Sequence, residues 1–173
     1  MIRLRRATLD DVPTLEHWDM DPVVITATTD VDNADRAFGG LDWRDELKQS
    51  SELSYYLIAE LDGRPIGAMQ ICDPHEEPTH YWGEIEPHLR AVDIWIGSAD
   101  DRGKGNGTKM MRQAHALCFA DPRVTAIVID PLASNTRAHA FYQRLGYVPV
   151  GLRVFGDDEC LVHRLSRERA GLE

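Results

Sequence analysis

The sequence predicts an α/β fold, a mixed sheet covered by helices, on three observations. Strand-like and helix-like hydrophobic periods succeed one another along the chain, an Asp-Gly hairpin signal lies in the first half, and a strand-helix-strand succession lies in the second. A hairpin gives antiparallel neighbours and a crossover through a helix gives parallel ones, so both pairings are expected in one sheet. With 173 residues, 43% of them hydrophobic, and no repeat, low-complexity tract or linker-like run, residues 1–173 are expected to form one domain with a sizeable core.

Ile2 and Leu4 alternate with Arg3 and Arg5 as a short strand, and Thr8-Leu9-Asp10-Asp11 supplies a cap and first-turn acids for a helix through about Asp19. After Phe38-Gly39-Gly40, the stretch Asp42 to Gln49 reads as a second short helix. Tyr55 to Leu61 and Pro65 to Cys72 read as strands around Asp62-Gly63-Arg64. Asp73 to Pro87 is polar and contains proline, so a loop or insertion is expected there. Leu89 to Gly97 is the next strand, broken sharply by Asp100 to Gly107. From Gly105 onward, Met110, Met111, Ala114, Leu117 and Cys118 mark one face of a helix. Val124 to Ile129 is a continuous apolar run rich in β-branched residues, the pattern of a strand buried on both faces. Ala138, Phe141, Tyr142 and Leu145 form another helical stripe, which Gly146 closes. Tyr147 to Leu152 and Cys160 to Leu165 are the last strands, separated by Gly156-Asp157-Asp158.

Charge narrows the function classes. The formal net charge of −10 argues against a nucleic-acid or anionic-membrane partner, because both need a positive footprint. MIRLRR has no apolar segment behind its charges, and no run approaches the ~18 apolar residues of a membrane span, so a cytoplasmic location is expected. Cys72, Cys118 and Cys160 are odd in number and widely spaced, which fits reduced thiols. His115-x-x-Cys118 and Cys160-x-x-His163 could be assembled into a metal site, but each pair is a single coincidence, and no metal is expected. The acids concentrate in two segments, eight between Asp19 and Glu46 and six between Asp73 and Asp93, which together hold the whole net negative charge. Such clusters are either a solvated face or a pocket for a polycation.

Against this background Arg102-Gly103-Lys104-Gly105-Asn106-Gly107-Thr108 is locally basic and lies between a strand and a helix. The unpaired N–H groups and dipole of a helix start make an anion site, and glycines let the backbone come close to it, so a phosphate-bearing ligand fits. No Gly-Lys-Ser/Thr closes the loop, and Thr108 stands where a third Rossmann glycine belongs, so neither nucleotide fingerprint is present.

Arg102-x-x-Gly105-x-Gly107, followed by helix, buried strand and helix, resembles the pyrophosphate motif of the GNAT superfamily of acetyl-CoA-dependent N-acetyltransferases. The series through Asp121-Pro122-Arg123-Val124 and Asp130-Pro131-x-x-Ser134-Asn135-x-Arg137-Ala138 to Tyr142-x-x-x-Gly146-Tyr147 is similar, more specifically, to the aminoglycoside 6′-N-acetyltransferases. The resemblance implies a mostly antiparallel sheet splayed open between two central strands, with acetyl-CoA in the cleft. It implies that the backbone of Arg102, Gly103, Lys104, Gly105, Asn106, Gly107 and Thr108 holds the pyrophosphate, and that the backbone of Ile94, Trp95 and Ile96 meets the pantetheine and the acetyl carbonyl. Asn135 and Arg137 complete the expected cofactor contacts. Between Asp21 and Leu41 this chain departs from the resistance enzymes.

Making an amide from a thioester takes a neutral amine, a donor for the developing oxyanion and a proton for the leaving thiolate, with no covalent enzyme intermediate. By the same resemblance Asp93 is the expected base and Tyr142 the expected acid at the sulfur, while Glu86 and Asp130 hold a cationic small-molecule amine. Trp43, Tyr81 and Trp82 lie among the acids and are candidates either to stack on a sugar or ammonium group or to pack in the interior. The expected acceptor is the 6′-amine of an aminoglycoside. Alternatives are a hydroxylysine-type siderophore precursor, a polyamine, or a non-catalytic coenzyme A binding module, and the assembly is expected to be a monomer or homodimer.

Overall fold

The structure is a computed structural model and describes residues 1–171. Its strands are β1 (Ile2–Arg6), β2 (Ser54–Leu61), β3 (Arg64–Cys72), β4 (Leu89–Ile96), β5 (Ala126–Ile129), β6 (Val148–Phe155) and β7 (Asp158–Ser166). Its helices are α1 (Val12–Asp19), α2 (Pro22–Thr28), α3 (Trp43–Lys48), α4 (Asn106–Cys118) and α5 (Thr136–Arg144). The strands form one seven-stranded sheet in the order β1-β2-β3-β4-β5-β7-β6. Every pairing is antiparallel except β4 with β5. The expected mixed sheet is therefore present, and it is mostly antiparallel.

Local chemistry sets the element ends. Asp62 and Gly63 both adopt positive φ (51° and 86°), the backbone that a two-residue hairpin turn between β2 and β3 requires. Thr8 and Asp11 form the capping box that starts the first helical segment, in which one 3-10 turn (Leu9–Asp11) leads into α1. Asp42 caps α3 through the Asp45 N–H at 3.0 Å. The segment expected as Val124 to Ile129 shortens to β5, and the last two strands run longer than expected, with their turn tightened to Gly156-Asp157.

One face of the sheet is covered by α4 and α5, whose apolar stripes (Met110, Met111, Ala114, Cys118, Tyr142) pack on Val92, Ile127, Ile129 and Leu165. The other face has two coverings. Over β2 to β4, α1, α2 and α3 bury Trp18, Val24, Trp43 and Leu47 against Ile58, Ala68 and Trp95. Over β5 to β7, the loop after β3 lays Trp82 on Val128, Phe155 and Val162. Asp93 lies on this second face, in register between Ala91 of one covering and Trp95 of the other, because alternate residues of a strand share a face.

α2 is the element the sequence reading did not contain. Asp21 accepts from the N–H groups of Val23 and Val24 at 2.9 and 3.1 Å, and Pro22 occupies the first helical position. The β-branched run Val23-Val24-Ile25-Thr26 disfavours a helix, and the capped start together with the burial of Val24 outweighs it. No helix among the described residues is long and apolar enough to cross a membrane.

Candidate active site

The site is built on a split in the sheet. β4 and β5 pair only over Leu89, Arg90 and Ala91 against Ala126, Ile127 and Val128, and beyond Ala91 β4 keeps only its β3 neighbour. The carbonyl of Trp95 faces β3, where a Cβ on Gly67 would come within 2.4 Å of it. The carbonyl of Ile96 points the other way and accepts from Arg102 Nε at 2.9 Å. By the same alternation the N–H and C=O of Ile94 and the N–H of Ile96 open into the split. Trp95 is corrected as a backbone contact, since its main chain is taken up by β3.

At the end of the split lies the glycine loop. Gly103 and Gly105 have φ of 71° and 77°, and an added Cβ at either would meet nothing within 4 Å, so the loop is open on the side where a ligand would sit. Gly105 is also the N-cap of α4, which brings the unpaired N–H groups and positive dipole end of a 13-residue helix to the same place. Lys104 and Lys109 are exposed beside it. This combination suits a diphosphate.

The Arg102 backbone N–H donates to the Ala99 carbonyl at 3.1 Å, so Arg102 is corrected as a member of the expected main-chain cradle. Its guanidinium donates to the Ile96 carbonyl, to the Gly97 carbonyl at 2.8 Å and to Asp21 Oδ1 at 3.1 Å, so it ties the loop to β4 and to the cap of α2. The Asn106 side chain is committed too, its Nδ2 donating to the Asp101 carbonyl at 3.0 Å, while its main-chain N–H lies in the first turn of α4. Asp101 is in turn gripped by both Arg64 Nη atoms at 2.8 Å, and Arg64 went unnoticed in the sequence because its partner lies 37 residues away. Asn135 uses Oδ1 to cap α5 through Ala138 at 3.1 Å, which leaves its NH₂ as the group that could meet a pantetheine amide, and Arg137 is exposed next to it.

The carboxylates Asp93 and Asp130 meet electrostatically at the split. Asp93 is exposed within the cleft, and partial desolvation there raises its pKa above the ordinary carboxylate range. Asp130, just past β5, is raised too, by burial and by the charge of Asp93. The two thus titrate as a pair that holds a proton more readily than isolated carboxylates do. Tyr142 is 6% exposed on α5, on the opposite side of the sheet, and burial with the charges of Asp93 and Asp130 pushes its pKa far up, so it stays a hydroxyl donor.

The remaining acceptor candidates divide. Trp43 is 1% exposed, with its ring edge-on to Phe38 and Tyr56 and its Nε1 donating to Asp19 at 3.3 Å. Trp82 is 3% exposed against Phe155. Both are packing residues, which corrects their placement as ligand platforms. Glu86 lines a groove at the paired end of β4 with Leu89, Val128 and Arg164, and its carboxylate is bound to Arg164 at 2.5 Å, so it is not free for an incoming cation. The segment after α2 joins the two halves of the sheet. There the Asp30 N–H donates to Asp158 Oδ1 at 2.7 Å, and Ser134 donates to both Asp30 oxygens at 2.9 and 2.8 Å.

The cysteines are free, and burial pushes the thiols of Cys118 and Cys160 up to about 12, which makes them poor nucleophiles. Among the described residues no group of three His, Cys, Asp or Glu side chains is placed to hold a metal ion.

Residues 7–155 match the family described as an acetyltransferase (GNAT) domain. Aminoglycoside N(6′)-acetyltransferase type 1 of Klebsiella pneumoniae is 39% identical over 102 residues, covering 58% of this chain and 50% of that protein, so the match spans about half the relative's length. A kanamycin resistance protein of Rhizobium radiobacter is 40% identical over 72 residues, 41% of this chain and 67% of that protein. The solved structure of the aminoglycoside acetyltransferase AAC(6′)-Ib with coenzyme A and kanamycin is similar with a TM-score of 0.79 at 29% identity, over 98% of this chain and 96% of that one. The same enzyme with ribostamycin and coenzyme A gives 0.82 at 28% identity, over 97% and 94%.

Proposed function

We infer that this chain, which belongs to the GNAT acetyltransferase family, transfers the acetyl group of acetyl-CoA to a primary amine of an aminoglycoside, the 6′-amine by the likeness of its relatives. The observation that carries the reading is the split itself. An anion-binding helix start lies at its end, unpaired strand N–H groups lie along it, and two carboxylates of elevated pKa stand where β4 and β5 diverge.

The group to be held fits the residues present. The backbone of Gly103 to Thr108 would take the diphosphate with Lys104 and Lys109 beside it, and Asn135 and the Ile94 backbone would take the pantetheine arm. Bound there, acetyl-CoA supplies an activated acyl carbon. The Ile94 or Ile96 N–H would donate to the carbonyl oxygen as negative charge builds on it. Asp130 would hold the acceptor's positive charge, and Asp93 would take the proton that the nitrogen loses. Its raised pKa suits a base working near neutrality. Tyr142, held protonated, would donate toward the departing sulfur.

The test is thiol release from acetyl-CoA with kanamycin, ribostamycin, spermidine and hydroxylysine as acceptors, followed by NMR of the product. Acetylated kanamycin with its 6′ protons shifted is the expected result. Turnover of spermidine or hydroxylysine alone would replace the acceptor class, and coenzyme A binding without any turnover would make the chain a binding module.

A further inference from the structure

We propose that Tyr81 is a positioning residue of the acceptor site, whose hydroxyl, anchored by the stacking of its ring on Phe155, holds the Asp130 carboxyl in one orientation to receive a cationic amine. The proposal rests on the function inferred above and names a residue that the reaction as described does not use.

Tyr81 is 53% exposed, which marks it at first as a platform for a ligand. Its contacts say otherwise. The hydroxyl donates to Asp130 Oδ2 at 2.7 Å. The ring lies flat on Phe155, with centroids 4.7 Å apart and planes 7° from parallel. The backbone N–H donates to Glu77 Oε1 at 2.8 Å, and Glu77 is a buried carboxylate whose other oxygen accepts from Thr79 N and Oγ1 at 2.8 and 2.6 Å. Ring, hydroxyl and main chain are thus each fixed, so a surface tyrosine has lost the freedom that exposure would normally give it.

The surroundings of Asp130 explain what that fixing accomplishes. Asp93 of β4 repels its charge, and Arg153 of β6 attracts it, but the Arg153 guanidinium donates to the Trp82 carbonyl. Tyr142 of α5, Cys72 of β3 and Cys160 of β7 feel its charge and are neutral, their own pKa values being raised by burial and in part by Asp130. Among the described residues, Tyr81 is the side chain that donates a hydrogen bond to Asp130. The pair already holds a proton more readily than isolated carboxylates do, and Tyr81 opposes that tendency at Asp130, because a hydrogen bond donated to the charged form favours it; losing the donor would leave less charge there for an ammonium group. Partial burial and the Asp130 charge push the Tyr81 pKa up, so the hydroxyl remains a donor across the working pH range.

Tyr81→Phe removes the donor and keeps the ring on Phe155. In this variant the KM for kanamycin is expected to rise about tenfold, the loss of one hydrogen bond to a charged group, while the KM for acetyl-CoA stays within about twofold. The acid limb of kcat/KM moves to higher pH, because a carboxylate that loses a donor binds protons more tightly. Carbon-13 titration of the aspartate carboxyls reads the same contact without turnover, and Asp130 is expected to titrate at higher pH in Tyr81→Phe than in wild type. An unmoved Asp130 titration overturns the proposal, as does a KM increase shared equally by kanamycin and acetyl-CoA. Wild-type protein that acetylates no amine would contradict the inferred function, and the carboxyl titration would still decide for or against the Tyr81 contact.

Discussion

Replacing Arg102 by Ala separates two roles that a cation in a phosphate loop could play, ligand to the diphosphate or tie within the protein. The structure assigns it the second. Its guanidinium bridges two carbonyls at the end of β4 and the carboxylate that caps α2, and its side chain is 18% exposed. A hydrogen bond from a charged donor is worth about 1.5–3 kcal/mol, and a partly solvated ion pair adds at most ~1 kcal/mol, so discounting for exposure puts the loss near ~3 kcal/mol. For a chain of this length that is a fall in Tm of roughly 6–12 °C. The assay is chemical and thermal unfolding of the protein free of coenzyme A. A ligand role predicts no change in that state, because a residue waiting for a phosphate contributes nothing before the phosphate arrives. Unfolding energies within about 0.5 kcal/mol of wild type, the spread of an ordinary surface substitution, together with weakened coenzyme A binding, would refute the reasoning.

Other substitutions probe the rest of the site. Asp93→Asn should lower kcat/KM about 10²- to 10⁴-fold while coenzyme A affinity, read by calorimetry, holds. The same variant should melt higher than wild type at pH 8. Because the folded-state pKa values of the Asp93 and Asp130 pair are raised, the native state binds more protons than the unfolded one, so the pair's charge costs stability increasingly as pH rises above the ordinary carboxylate range. His115 runs the other way. Burial lowers its pKa to about 4, with Nε2 3.0 Å from the Tyr147 hydroxyl, so its contribution to stability is complete above its unfolded pKa and is lost as pH falls toward 4. His115→Gln should flatten the fall in unfolding free energy between pH 6.5 and 4, and an unchanged slope would count against the burial argument. Gly97→Ala places a Cβ 1.9 to 2.3 Å from the Trp18 indole, which must then move off the end of β4, and urea unfolding should show a loss of about 1–3 kcal/mol or more.

Much of the fold was legible because its signals are local. The Asp62-Gly63 turn, the capping box at Thr8 and the stripes of α4 and α5 each depend on neighbours within one or two turns of chain. α2 escaped because a short β-branched segment gives no period, and its one signal was Asp21 before Pro22. The glycine loop was legible as an anion site, but which of its side chains are free was not. Arg102 is drawn away by Asp21, and Asn106 by the Asp101 carbonyl. Burial decided the tryptophans in the same way. Trp43 and Trp82 stand among acids in the sequence, yet the acids face outward or accept hydrogen bonds while the rings fill the two coverings of the sheet. Partners far apart in sequence, such as Tyr81 with Asp130 and Arg64 with Asp101, leave no trace in a single chain's pattern.

Aiming a thioester into the split depends on Gly103 to Thr108 gripping a diphosphate with main-chain N–H groups that a side chain would block. Calorimetric titration of coenzyme A into wild type and Gly105→Val, with circular dichroism to confirm that both are folded, tests this most directly. Because an added Cβ at Gly105 meets no protein atom within 4 Å, the variant should fold with only the strain of its φ of 77°. It should nonetheless bind coenzyme A at least about tenfold more weakly than wild type, since the backbone can no longer approach the phosphates. Equal affinity in the two folded proteins would contradict the assignment of the loop and, with it, the direction from which the thioester enters the split.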